Sequence, residues 1–265
     1  MNVLVKWCAI ALGAIVALLA LGLGATFVIS GVELNHRYTD HVPSLAVRRD
    51  SASIARGSHL IQAILPCAEC HGEDLGGKVL IDRPLLAVMS APNLTRAGLG
   101  SQLSDSDLAA VIAYLRNAPP ATHTLEATRV GPLARPLLVA GSLPLERRLI
   151  DTAAARPEPA PGVSAAYGAY LITVASCRHC HGPALSGGPL TDTPNAPPAA
   201  NLTPAGIGGW TLANFRAALR DGKRTDGSSL NPIMPVRRYR NMTDDETAAI
   251  WMYLKTIPPK PYGVR

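Results

Sequence analysis

Two short runs in this chain hold residues whose spacing specifies chemistry: Cys67-Ala68-Glu69-Cys70-His71-Gly72 and Cys177-Arg178-His179-Cys180-His181-Gly182. Cys-x-x-Cys-His is the spacing for covalent attachment of haem c. The two thiols form thioethers with the porphyrin vinyl groups, and the adjacent histidine lies under the iron as its proximal ligand. A bare Cys-x-x-Cys serves zinc, disulfide exchange or iron–sulfur equally well. Here each run is completed by His-Gly, and no thioredoxin-like βαβ pattern or further cysteine ligands accompany it. The expectation is two covalently attached haem c groups, on Cys67 and Cys70 and on Cys177 and Cys180, with His71 and His181 on the irons. Of the 5 cysteines only Cys8 is left over, so no structural disulfide can form within the chain.

Residues 7–29 contain no charge. As a helix they would extend about 35 Å, enough to cross about 30 Å of hydrocarbon. The run is longer than a cleaved signal's apolar region, so it predicts a retained anchor over residues 1–30. Lys6 and the amino terminus precede it, which places the N-terminus inside and the rest of the chain outside. The expected location is a bacterial inner membrane, single-pass, with the haem domains on the periplasmic side, where haem c is attached. Cys8 is then an apolar filler of the span. The formal charge is +6, with basic clusters at Lys223-Arg224 and Arg237-Arg238-Tyr239-Arg240. These are either a solvated surface or a docking face for an acidic protein. Nucleic acid is not an expected partner outside the cytoplasm. With 23 Pro, 23 Gly and 5% aromatic residues, the chain suits loop-rich domains whose core is largely the porphyrin.

The chain repeats itself. Arg56-Gly57-Ser58-His59-Leu60-Ile61 corresponds to Tyr167-Gly168-Ala169-Tyr170-Leu171-Ile172, and Asn93-Leu94-Thr95 to Asn201-Leu202-Thr203. Each half closes on a predicted helix capped by Ser104 or Thr243, the latter with Glu246 in capping-box position. On these residues the chain resembles the membrane-anchored dihaem cytochromes c, built from tandem class I-like domains. The resemblance implies an all-α fold: an N-terminal transmembrane helix followed by cytochrome c-like domains over residues 31–120 and 163–265, joined by a Pro-rich linker over 121–162. It also implies a mid-domain helix followed by a methionine in a Pro-containing loop, which ligates the iron distally. The second half matches, with a helix over 210–220 and the loop Asn231-Pro232-Ile233-Met234-Pro235, so Met234 is the expected sixth ligand of its iron.

The first half departs from that pattern. Asn93 and Ser104 are 11 residues apart, whereas Asn201 and Thr243 are 42 apart, a difference of 31. The missing stretch is the one that carries the mid-domain helix and Met loop. Met89, in an apolar loop over residues 85–91, is the leading candidate for the first iron, with core packing as the competing reading. His123 and water follow, and His59 is read as a packing residue on a helix. Asn93 and Asn201 are either near a propionate or turn formers. His179 reads as surface, and Met242 and Met252 as packing.

The resemblance implies one-electron transfer between a membrane-associated donor and acceptor within a respiratory, photosynthetic or dehydrogenase complex. The chain itself would be an electron carrier rather than an enzyme, with protein redox partners and no small-molecule substrate. The alternatives are a peroxidase-like dihaem enzyme or sensor with an open first haem, and a mainly structural subunit. A peroxidase would need an acid–base residue aimed at the bound oxygen, for which Glu69, Glu73 and Asp74 lie nearest.

Overall fold

The uncharged N-terminal run forms one helix, α1 (Val3–Leu34). The computed structural model describes residues 3–36, 45–96, 103–122, 125–142, 159–190 and 195–264. At 32 residues, α1 is long and apolar enough to cross a membrane. The first half then supplies α2 (Ser51–His59), continued by a π-helical turn (Leu60–Ile64), α3 (Cys67–His71) and α4 (Asp105–Asn117). The connector supplies α5 (Arg135–Val139). The second half supplies α6 (Ala165–Val174), α7 (Cys177–His181), α8 (Pro204–Ile207), α9 (Leu212–Asp221), α10 (Val236–Tyr239) and α11 (Asp244–Thr256).

The chain divides into two compact units. One comprises residues 1–44, 77–92 and 122–154. It contains α1, α5 and an antiparallel sheet of β1 (Lys78–Arg83), β2 (Ala87–Ala91) and β3 (Arg129–Val130), in that order. Arg135 ties α5 to α1, donating to Ser30 Oγ at 2.9 Å and lying over the Phe27 ring. The sheet is an addition to the mostly helical architecture, and it corrects one expectation. Residues 85–91 are not wholly loop, because Ala87–Ala91 pairs with β1 and β3 as a strand; within it Val88 is buried and Met89 is 42% exposed.

The other unit, residues 45–76, 93–121 and 155–265, holds both Cys-x-x-Cys-His runs. In each half the helix before the motif crosses the closing helix, α2 on α4 and α6 on α11. A glycine permits each crossing. A Cβ on Gly57 would lie 2.1 Å from the Ala110 carbonyl oxygen and 2.9 Å from Tyr114 Cβ. On Gly168 the same atom would lie 2.0 Å from the Ala249 oxygen and 2.9 Å from Tyr253 Cβ. The halves differ by one residue between glycine and motif: Gly57 to Cys67 is 10 residues and Gly168 to Cys177 is 9. The π-helical turn at Leu60–Ile64 absorbs the extra residue. Leu60, Ile64, Val111 and Leu115 join Leu171, Ile172, Phe215, Ile250 and Leu254 in one core.

A polar seam joins the halves with pseudo-twofold symmetry. His59 and Tyr170 occupy equivalent repeat positions, as do Asp107 and Glu246. The Tyr170 hydroxyl donates to Asp107 Oδ2 at 2.7 Å, and His59 Nε2 lies 2.8 Å from Glu246 Oε1. Each half's helix thus reaches the acidic first turn of the other half's closing helix, as in an isologous interface. Arg56 completes the seam, donating twice to Asp107 at 2.9 and 3.0 Å and to the Tyr167 hydroxyl at 3.2 Å. His59 is therefore a hydrogen-bonding partner of Glu246 across the seam and not simply a packing residue on its own helix.

Burial works to raise the Glu246 pKa, but bonds from His59 and the Thr243 N–H, with the charges of His59 and Arg56, outweigh it and leave it lowered. A carboxylate lowered on folding stabilises the fold above its unfolded pKa, and that contribution is lost as pH falls through the folded value. Glu246→Gln is therefore expected to lower the midpoint of thermal unfolding at pH 7 and to make little difference at pH 3. Parallel melts at the two pH values check this.

Candidate haem centres

α3 and α7 are each a single five-residue turn. Residues i, i+3 and i+4 share one face of a helix, so this turn presents two sulfurs and an imidazole on one side. The glycine after each histidine ends the turn at positive φ, 79° at Gly72 and 78° at Gly182, a conformation glycine adopts without a side-chain penalty. Three residues on, the chain turns left-handed at a leucine in both halves, φ 58° at Leu75 and 59° at Leu185. Core packing holds these leucines, which are 4% and 0% exposed. The Leu75 N–H donates to Gly72 O at 3.0 Å and the Leu185 N–H to Gly182 O at 2.9 Å.

His181 is buried. Its Nδ1 lies 2.7 Å from the Ala200 carbonyl oxygen; because a carbonyl only accepts, Nδ1 carries the proton and Nε2 keeps its lone pair. That is the tautomer a metal-ligating imidazole needs. Burial pushes the His181 pKa down, against the Ala200 hydrogen bond, so the ring is neutral at pH 7. His71 ends α3 and is partly exposed. Burial raises the Cys177 thiol to about 12. It also raises Cys67, where the charge of Arg238 pulls the other way.

Asn93 and Asn201 are turn formers. The Oδ1 of each accepts the N–H two residues on, from Thr95 and Thr203, both at 2.9 Å. Their amides donate to the Ala121 and Lys260 carbonyls, beyond the closing helices, at 3.1 and 2.8 Å. Met242 is buried as expected, whereas Met252 faces outward and is 41% exposed. His179 is on the surface. Met89 lies on β2, in the unit that contains the sheet. His123 lies outside the described residues.

Met234 sits in a turn between α9 and α10, its N–H donating to Asn231 O at 3.0 Å, while Asn231 Oδ1 accepts the Ile233 N–H at 3.0 Å. It is partly buried against the core. It also lines a cavity of about 820 Å³ together with Ala68 and Glu69 of α3. The sequence did not reveal that the second half's Met loop approaches the first half's attachment turn. α10 makes that approach and rests on both motifs. The Tyr239 hydroxyl donates to Ala175 O, two residues before Cys177, at 2.8 Å. Arg238 donates from Nη1 to Leu65 O and from Nη2 to the Glu69 carboxylate, on either side of Cys67.

The residues present fit haem c: paired one-turn attachment helices, a neutral buried imidazole with its metal-side nitrogen free of the Ala200 bond, and a methionine on a stiff turn. Residues 165–258 match the cytochrome c family. The second half is a cytochrome c domain, and such a domain implies covalently bound haem c. The fructose dehydrogenase cytochrome subunit of Gluconobacter japonicus is 35% identical, over 41% of this chain and 27% of its own length. The cytochrome c subunit of the quinone alcohol dehydrogenase of Komagataeibacter europaeus is 34% identical, over 40% and 24%. A dihaem c-type cytochrome of Cereibacter sphaeroides is 31% identical, over 36% of each. The chain thus spans about a quarter of the length of the dehydrogenase subunits it matches.

Proposed function

We propose that this chain is a membrane-anchored dihaem c-type cytochrome that passes single electrons between a membrane-associated donor and acceptor, as the cytochrome subunit of a dehydrogenase-type membrane complex. One observation carries the reading. The first half repeats the backbone frame of the cytochrome c domain around its own Cys-x-x-Cys-His turn, with Gly57 against Ala110 and Tyr114 as Gly168 lies against Ala249 and Tyr253. The cytochrome subunits among its relatives support the partner class.

Bound haem c supplies a one-electron iron couple at each site. The protein's part is to hold it. Cys67, Cys70, Cys177 and Cys180 anchor the porphyrins, and His71 and His181 ligate the irons. Met234 would hold the second iron through its thioether, and a haem held by His and Met sits high among haem potentials. Met89, half exposed on β2, is the candidate for the first. α1 anchors the chain in a bacterial inner membrane with the haem-bearing residues on the periplasmic side. The carboxylates nearest the first motif are already engaged: Glu69 by Arg238, Glu73 by Arg237, and Asp74 by the Gly76 N–H at 3.0 Å. This favours a carrier over a peroxidase-like enzyme.

Intact mass spectrometry of the purified protein should show two haem additions, and a redox titration should resolve two unequal one-electron steps. A single addition would refute the dihaem reading. Two equal His/Met steps would refute the asymmetry between halves. An unchanged first haem in Met89→Ala would exclude that ligand alone.

A further inference from the structure

The least explained group in the helical unit is Arg238. Its side chain is 8% exposed, and Nη1 and Nη2 are bound to Leu65 O and Glu69. Its Nε is buried with no hydrogen-bond partner among the described residues. A buried unmet donor is costly, and more so in a charged group. An Arg kept there against that cost has a use for its charge. It also lies in the other half of the repeat from the motif it clamps.

We propose that Arg238 is a positioning residue for the first haem: its buried guanidinium, clamped to Leu65 and Glu69 on either side of Cys67, sets that haem's potential above the value its axial ligands alone would give. The proposal rests on the reading that the first motif carries a haem. Oxidation of the iron from ferrous to ferric removes one electron, moves no proton and adds one positive charge. A cation buried nearby opposes that added charge with little screening. Glu69, its ion-pair partner, is 50% exposed, so water screens the carboxylate far more than the guanidinium. The guanidinium charge is therefore less screened than its partner's, and its two bonds bracket Cys67. The second motif is held differently: the same helix touches it through the neutral Tyr239 hydroxyl on Ala175. α10 thus applies a charge to one haem and a neutral contact to the other, which narrows the gap between the first haem and the Met234-held second one.

The test is a spectroelectrochemical titration of the full-length membrane protein with a chemical reductant. It is run in the wild type and in a Cys180→Ala background, where the second haem retains a free vinyl group and absorbs at longer wavelength, so the two are read separately. Arg238→Gln is expected to shift the first haem about tenfold toward its oxidised form, which is 59 mV for one electron, with the second haem unmoved. Arg238→Lys keeps the charge and should keep most of the potential. Glu69→Gln removes the opposing anion and should move the first haem the other way. A sign reversal between Arg238→Gln and Glu69→Gln cannot come from loosened packing, because both break the same clamp. Equal potentials in wild type, Gln and Lys variants, with only the unfolding temperature lowered, would show Arg238 to be a clamp and nothing more, and would overturn the proposal. So would equal shifts of both haems. Loss of haem from the first motif in the wild-type protein, seen by mass, would instead overturn the dihaem reading beneath it.

Discussion

Met234→Ala is expected to lower the potential of the second haem on the order of 0.2 V, a fraction of the roughly 0.8 V range that axial ligands span. The weak near-infrared band of a methionine-to-iron bond should vanish with it. The residue has the right surroundings for a weak thioether ligand: Pro232 and Pro235 flank it, Asn231 caps its turn through two hydrogen bonds, and its side chain packs against the core. Proline fixes φ on both sides, so the sulfur is held in place by the backbone and not by the iron alone. His181 should stay ligated, because its orientation comes from Ala200 rather than from the methionine. Met242→Ala and Met252→Ala serve as controls. If the band survives in Met234→Ala and disappears in either control, the assignment is wrong.

Gly168→Ala should destabilise the helical unit by about 3 kcal/mol, at the upper end of the cost of overpacking. For a domain of this size that corresponds to a fall of roughly 6–12 °C in the unfolding midpoint. The atom the new methyl would meet, 2.0 Å away, is a backbone carbonyl oxygen of α11, which cannot rotate aside as a side chain can. The helices must separate, and Leu171, Ile250 and Leu254, buried beside the crossing, lose contact. Gly57→Ala should behave alike at the α2–α4 crossing. Gly209 has nothing within 4 Å of its missing Cβ, so Gly209→Ala should melt with the wild type. Thermal unfolding of the three variants decides this, and an undisturbed Gly168→Ala protein would mean that the crossing is looser than the structure has it.

Much of this was legible in the sequence because it depends on spacing along a single element. Cysteines three apart and a histidine one further on fall on one face of any helical turn, so the attachment chemistry follows from the backbone's period. The long uncharged run, the caps at Ser104 and Thr243 and the repeat itself are local in the same sense. Even the π-helical turn was visible in principle, as the one extra residue between Gly57 and Cys67. What the tertiary structure decided are the relations between elements far apart in the chain. His59 reads as a core histidine on its own helix, but it meets Glu246, 187 residues away. The strand at Met89 takes shape by pairing with β1 and β3, and a strand's partner is not written in its own residues. Arg238 looks like one of a basic surface cluster, Arg237-Arg238-Tyr239-Arg240. α10 instead turns it into the protein against Leu65 and Glu69 while leaving Arg237 outside. Burial and charge pairing depend on what packs against a residue, and in this chain the packing partners come from the other half of the repeat.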